Sequence, residues 1–132
     1  MKKAYVVLPI LLIALVGMSC LVAAASPNLD KDDERSTPNG YAEAIVTGSW
    51  SLFGHPYYQT HHQAKTSPSN LTGTAIFTGW NKSGGVVYNV TVNFVGSYSY
   101  DAPYYNVVWT AQTVCIAGGE TAVASIGPPG SL

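Results

Sequence analysis

Apolar and polar residues alternate along segment 86–100, and this alternation is the clearest structural signal in the chain. The even positions are apolar or aromatic apart from one glycine: Val86, Tyr88, Val90, Val92, Phe94, Gly96, Tyr98 and Tyr100. The odd positions are mostly polar. Side chains of a β-strand point alternately to opposite faces, so this period predicts a sheet with one buried and one solvated face. Gly96 predicts a bulge or a turn within the stretch.

The same period of two recurs elsewhere, and no segment after position 40 has the period of a helix. Further strands are predicted at 41–52, 71–80, 104–117 and 120–126, with turns that contain glycine or proline between them. Segment 57–66 is more polar and is compatible with an edge strand. The pattern therefore predicts an all-β fold, a small antiparallel β-sandwich or open barrel of about six to seven strands.

The first 25 residues have the features of an export signal. Lys2 and Lys3 precede an apolar run at 6–16, and three alanines at 23–25 provide the small residues that a signal peptidase recognises. We therefore expect an extracellular protein with no membrane span after cleavage. Two alternatives remain open: residues 4–25 are long enough for a retained membrane anchor, and Cys20 could carry lipid in a lipoprotein.

The remainder divides into three segments. Residues 26–40 are charged and contain a single large apolar side chain, so we predict a flexible leader before the folded domain. The alternating pattern assigns residues 41–127 to one β-sandwich domain. Residues 128–132 begin with two prolines and are predicted to be a disordered tail.

Charged residues are scarce in the predicted domain. The chain has 132 residues and a net charge of −1. Residues 41–132 include only these charged side chains: Glu43, Lys65, Lys82, Asp101 and Glu120. Such a surface has no basic patch for nucleic acid. Its hydroxyl and amide groups suit contact with sugars, with a cell-wall polymer or with other copies of the chain.

Two kinds of modification site are visible in the sequence. Cys115 lies in phase with an apolar face, which predicts a buried thiol rather than a link between chains. Asn70, Asn81 and Asn89 each begin a match to the N-glycosylation sequon. Whether these asparagines carry glycans depends on the cell that makes the protein.

The three histidines do not form a convincing metal site. His61 and His62 are neighbours, so on a strand they face opposite ways, and His55 is about 20 Å from His61 in an extended chain. We therefore predict exposed or edge-strand histidines, with no metal and no cofactor. The carboxylates of the domain are scattered and no catalytic motif is present, so we predict a protein without enzymatic activity.

Aromatic residues cluster on both sides of the turn at 101–103. The cluster consists of Tyr98, Tyr100, Tyr104, Tyr105 and Trp109. Alternate members should pack in the core, whereas Tyr104 and Tyr105 are candidate binding residues for a sugar or a partner. A role in packing and solubility alone is the alternative.

Four short segments resemble the lactococcin-972-like bacteriocins, which are small secreted β-sandwich proteins. These segments are Gly48-Ser49-Trp50, residues 57–66 (YYQTHHQAKT), Gly85-Val86 with Thr91-Val92, and Ala102-Pro103-Tyr104-Tyr105-Asn106. The chain departs from the family in having Ser67-Pro68 where a second histidine is usual. It also continues for 23 residues after Trp109.

The resemblance implies an exported antibacterial protein that interferes with cell-wall assembly in related bacteria without enzymatic turnover. Its partner would be a component of the cell envelope, and Trp50, Tyr58, His61 and His62 would be the first residues to test. The alternative function is a structural or adhesive extracellular protein, such as a matrix or fibre subunit or a sugar-binding surface module. The charge-poor surface and the long alternating strand favour that alternative, because such strands can pair edge to edge.

Overall fold

The computed structural model describes residues 29–51 and 54–131, and in that part of the chain it contains eight β-strands and no helix. The strands are β1 (Asp30–Ser36), β2 (Ala42–Trp50), β3 (Gln59–Thr66), β4 (Thr72–Trp80), β5 (Val86–Val95), β6 (Ser97–Asp101), β7 (Thr110–Ala117) and β8 (Glu120–Ile126). The predicted signal at 1–25 lies outside the described residues. Within them, no helix is long and apolar enough to cross a membrane.

The strands form two four-stranded antiparallel sheets. The first sheet has the order β1-β2-β3-β6 and the second has the order β5-β4-β7-β8. The prediction of an all-β antiparallel sandwich is confirmed, with eight strands in place of six to seven. At Gly96 the chain leaves β5 in the second sheet and enters β6 in the first, with φ at +81°. The predicted bend at this glycine is therefore confirmed as a crossing between the sheets.

Small side chains fill much of the space between the sheets. Buried alanines come from both sheets: Ala42, Ala44, Ala64, Ala75, Ala111, Ala122 and Ala124. Larger rings from Tyr57, Phe77 and Tyr88 occupy the remaining core. Cys115 is a free, fully buried thiol, as its phase predicted, and burial raises its pKa.

The alternation in β5 is confirmed except at its first residue. Tyr88 and Phe94 are buried, and Val90 and Val92 pack against the core between them. Tyr88 pairs with Gly79, whereas Val86 pairs with Trp80, so Val87 is an extra residue in the ladder. This β-bulge changes the phase of the strand and leaves Val86 exposed.

The predicted flexible leader and disordered tail are corrected by the structure. Within 26–40, residues 30–36 form β1, which pairs along its whole length with β2. Asp32 is the buried residue of β1, and its Oδ2 accepts hydrogen bonds from the backbone NH of Gly130 at 2.6 Å and from the Tyr57 hydroxyl at 3.0 Å. The carbonyl oxygen of Gly127 lies 2.6 Å from the same hydroxyl and shares its single proton with Asp32. One aspartate thus fixes both ends of the sandwich domain, and residues 128–131 are ordered.

The compatibility of 57–66 with an edge strand is also corrected. β3 lies between β2 and β6, so both of its edges are paired. Its even-numbered residues point into the core, and Thr60, His62 and Ala64 are fully buried. The expectation of exposed or edge-strand histidines is therefore wrong for His62.

Candidate functional site

One end of the sandwich is rich in aromatic residues. β2, β4 and β6 end there and β3, β5 and β7 begin there, so residues 54–58, 81–85 and 102–109 lie at this end. This antiparallel arrangement brings together all three tryptophans of the chain and three tyrosines. We call this surface the aromatic end, defined by Trp50, Tyr58, Trp80, Tyr104, Tyr105 and Trp109.

Backbone hydrogen bonds fix the loop that carries Tyr104 and Tyr105. The NH of Tyr57 donates to the carbonyl of Val108 at 2.7 Å, and the NH of Asn106 donates to the carbonyl of Tyr57 at 3.0 Å. Asn106 adopts a φ of +60°, which asparagine tolerates better than most residues. The two tyrosines are therefore held on an ordered loop, so binding would cost little backbone entropy.

Tyr104 and Tyr105 remain accessible at the aromatic end while their rings contact neighbouring tyrosines. Tyr105 is 51% exposed, and its ring centroid lies 5.3 Å from that of Tyr58. Tyr104 is 39% exposed and stacks on Tyr88 with centroids 5.6 Å apart and planes 4° from parallel. On another part of the same end, Nζ of Lys82 lies 5.0 Å from the centroid of the Trp109 ring.

A buried chain of hydrogen bonds supports this surface from inside. Thr113 donates its hydroxyl proton to the carbonyl of Ile45 at 2.8 Å, so its oxygen accepts from Nδ1 of His62 at 2.8 Å. With a proton on Nδ1, the neutral imidazole accepts at Nε2, where the hydroxyl of Tyr88 donates at 2.6 Å. Thr60 then donates to the Tyr88 oxygen at 2.7 Å. Both ring nitrogens of His62 and the hydroxyl groups of Thr113, Tyr88 and Thr60 therefore have hydrogen-bond partners in this network. These partners fix the tautomer of His62.

Burial sets the protonation states of His62 and Tyr88 in this hydrogen-bonded network. Removal of His62 from water, together with the neighbouring His61, lowers the pKa of its imidazole to about 3. Burial also raises the pKa of Tyr88 well above its usual value. Both groups are therefore neutral at pH 7, as the hydrogen bonds require.

His61 is on the solvent side of the same strand. Its Nδ1 donates to Oδ1 of Asp101 on β6 at 2.5 Å, and both side chains are exposed. Thr47 pairs with His61 across the other edge of β3. This pair adds hydrogen-bonding groups to the outer face of the first sheet, next to the aromatic end.

The structure separates the predicted site residues into two groups. Trp50, Tyr58, Tyr104 and Tyr105 lie at the aromatic end, and His61 lies beside it. His62 is enclosed in the core, where it contacts the rings of Tyr88, Tyr100 and Phe77. It cannot touch a molecule at the surface from this position. It supports the site indirectly, because it holds the Tyr88 ring on which Tyr104 stacks.

Sequence reasoning missed Trp80 and the role of Tyr88 beneath Tyr104. Both residues could have been found from the hairpin formed by β4 and β5, which places the end of one strand beside the start of the next. The contact between Tyr88 and His62 joins different sheets, so no local pattern indicates it.

Among residues 29–51 and 54–131, no group of three or more His, Cys, Asp or Glu side chains is placed to hold a metal ion. No protein-family model, curated protein or solved structure matches the chain.

Proposed function

We propose that the chain is an exported, non-enzymatic β-sandwich protein of bacteriocin type, which binds a component of the cell envelope of related bacteria through its aromatic end. The observation that carries this proposal is the convergence of three tryptophans and three tyrosines on a single end of the fold. Loops on a rigid scaffold are the usual place for binding residues.

The chemistry of the aromatic end favours a glycan of the cell wall as the ligand. Tyrosine and tryptophan present a flat apolar ring together with a polar group, and they lose little conformational entropy when bound. The surrounding groups are mainly hydroxyls, amides and backbone, and the nearby charged residues include Asp30, Lys82 and Asp101. A sugar ring offers the matching combination of an apolar face and hydroxyl groups.

The resemblance to the lactococcin-972-like family supports the same surface. Trp50, Tyr58, Tyr104 and Tyr105 come from three of the segments that carry the resemblance, and these segments are separated by up to about fifty residues in the sequence. In the fold they lie at one end. Export, an extracellular location and antibacterial action belong to the proposal because the resemblance and the signal-like N-terminus imply them.

Binding to purified cell-wall sacculi tests the proposal. The double variant Tyr104→Ser/Tyr105→Ser should lose at least about tenfold in affinity, because each lost aromatic contact contributes roughly 1 kcal/mol or more. Tyr41→Ser is the matched control, since Tyr41 is 50% exposed and lies at the opposite end of the sandwich. Wild type and control should also inhibit growth of a related strain. Equal binding by all three proteins, or no binding by any, contradicts the proposal.

A second candidate function is a matrix or fibre subunit, and one observation favours it. β5 is an edge strand of ten residues that contains neither a charged residue nor a proline. Proteins usually protect long edge strands with such residues, as β1 does at the edge of the first sheet. Filaments in electron micrographs that disappear in Asn89→Lys/Asn93→Lys would support this function, and particles of fixed small size would contradict it.

A further inference from the structure

The two long edges of the sandwich are closed to different degrees. At the edge formed by β1 and β8, the inward-facing side chains of Asp32, Ala124 and Ile126 are each at most 4% exposed. At the edge formed by β5 and β6, the ring of Tyr98 is 38% exposed. Yet Tyr98 faces inward, because it stacks on the fully buried Phe77 of the other sheet with ring centroids 5.9 Å apart. The space between the sheets is therefore open to solvent along the β5/β6 edge.

Tyr100 connects this opening to the aromatic end. It lies two residues after Tyr98 on β6, is half-buried, and stacks on the same Phe77 ring with centroids 5.6 Å apart and planes 7° from parallel. Its ring centroid is also 5.8 Å from that of Tyr88, the residue on which Tyr104 stacks. We call Tyr98, Tyr100 and Tyr104 the tyrosine stripe. The stripe continues from the aromatic end along the side of the sandwich.

The hydroxyl groups of the stripe are near one another and available for binding. The pKa of Tyr100 is raised, first by burial and then by the neighbouring phenol groups of Tyr104 and Tyr98. Among the residues that the structure describes, none of these three hydroxyls has a hydrogen-bond partner. The facing wall of the opening is β5, which contributes the half-buried Val90 and Val92 and has no charged residue.

We propose that the tyrosine stripe extends the binding site, so that the protein binds several consecutive sugars of a glycan chain rather than a single sugar. This inference rests on the proposed function, because it takes the aromatic end as the place where the glycan is bound. Tyr98 lies about 10 Å from the end of β6, since each residue of a strand advances about 3.3 Å. A ligand that contacts both Tyr98 and the aromatic end must therefore span more than one sugar ring.

Two other kinds of occupant fit the stripe less well. An aliphatic chain would exclude water from the three hydroxyls without offering them a hydrogen bond, which is unfavourable. A peptide strand added to the free edge of β5 would extend the second sheet, whereas Tyr98 and Tyr100 belong to the first. A glycan covers the ring faces with its apolar C–H groups and pairs the phenol hydroxyls with its own.

Affinity as a function of glycan length tests the proposal. The probes are a disaccharide and longer oligosaccharides of the same uncharged glycan, released from bacterial cell wall, and calorimetric titration measures each dissociation constant. For wild type this constant should decrease from the disaccharide to the longer fragments and then level off. Tyr98→Ser should bind the disaccharide like wild type but lose about threefold to tenfold in affinity for the longest fragments, because only those reach position 98.

Two further variants separate binding from folding. Tyr41→Ser is the matched control, since it removes another exposed tyrosine that lies outside the stripe, and its affinities should equal those of wild type at every length. Tyr98→Phe keeps the ring over Phe77, so it should fold even if the serine variant does not, and it should retain most of the gain with length. Far-UV circular dichroism checks the fold of each variant.

The possible outcomes distinguish this inference from the proposed function. A wild-type affinity that does not increase with length overturns the inference while leaving the aromatic end as a binding site. A gain with length that persists in folded Tyr98→Ser also overturns it, because the number of repeats in the ligand would then explain the gain. An equal loss by Tyr98→Ser at every length overturns it as well. Failure of every fragment to bind wild type contradicts the proposed function itself.

Discussion

The hydroxyl of Tyr88 donates to Nε2 of His62 at 2.6 Å, and this bond joins the two sheets beneath the aromatic end. The same Tyr88 ring is the base on which Tyr104 stacks. A buried polar contact in the core therefore positions an exposed ring of the candidate site. Because both partners are fully hydrogen-bonded, the contact specifies one arrangement of the sheets.

Tyr88→Phe should destabilise the fold by about 1–3 kcal/mol. The change removes the donor to Nε2 of His62 and the acceptor for Thr60, and it leaves two buried polar groups without partners. Urea unfolding measures the loss, with Tyr105→Phe as a control because that hydroxyl is exposed. Binding to sacculi should persist, since phenylalanine keeps the ring beneath Tyr104. A variant as stable as wild type would show that the network does not contribute.

The free energy of unfolding should decrease as the pH drops below about 6.5, because of His62. Its pKa is about 3 in the folded protein and near 6.5 when exposed, so only the unfolded state takes up the proton between these values. The stability from this group is complete above pH 6.5 and decreases by at most about 1.4 kcal/mol per pH unit as the pH falls towards 3.

His62→Gln isolates this effect, because glutamine does not titrate while the carboxylates are common to both proteins. The difference in unfolding free energy between wild type and the variant should shrink steadily from pH 7 to pH 4. Parallel pH profiles would contradict a buried, neutral His62.

Gly79→Ala should be strongly destabilising, by about 2 kcal/mol or more. A Cβ at this position would overlap the ring of Tyr88, which cannot move without breaking its hydrogen bonds. Gly127→Ala is a suitable control, since its Cβ would meet only the rotatable hydroxyl of Ser131. Thermal unfolding should separate the two variants clearly, and similar melting temperatures would argue against the tight approach at Gly79.

Asp32→Ala should release both ends of the domain together. Its Oδ2 accepts from Tyr57 and from Gly130, so the substitution breaks the link between β1 and residues 127–130. Hydrogen exchange should rise in both segments, while β4 and β7 remain protected. Asp33→Ala, at an exposed position of the same strand, should change neither segment. Faster exchange in β1 alone would indicate that the two ends are independent.

The periodicity of the strands was sufficient to predict the fold class and most of the core. In β5 the alternation identified the buried side chains, and it failed only at Val86, where the bulge at Val87 changes the phase. β8 was predicted with its observed bounds, because Gly118-Gly119 and Gly127 mark its limits clearly. These features depend on local sequence, which a single chain displays.

β1 was missed because its stability does not come from apolar side chains. Six of its seven residues are charged, a composition typical of disorder, yet the strand is held by the ladder to β2 and by the single buried Asp32. His62 was misplaced for a similar reason. A histidine in a polar segment is usually exposed, and its partners Tyr88 and Thr113 lie 26 and 51 residues away in the other sheet.

The candidate site was predicted in part. The position of Tyr104 and Tyr105 beside a turn identifies them as candidates, and the family resemblance identifies Trp50 and Tyr58. The sequence does not show that these residues share one end of the sandwich with Trp80 and Trp109. That convergence depends on the order in which strands pair across two sheets, and the period of a single strand contains no information about it.

The most direct test of the account is an NMR titration of the ¹⁵N-labelled protein with a soluble, uncharged glycan fragment released from bacterial cell wall. We predict that the shift changes are largest at Tyr58, Tyr104 and Tyr105, with no change at Tyr41. Shift changes confined to another surface, or none at saturating glycan, would contradict the assignment of the aromatic end as the binding site.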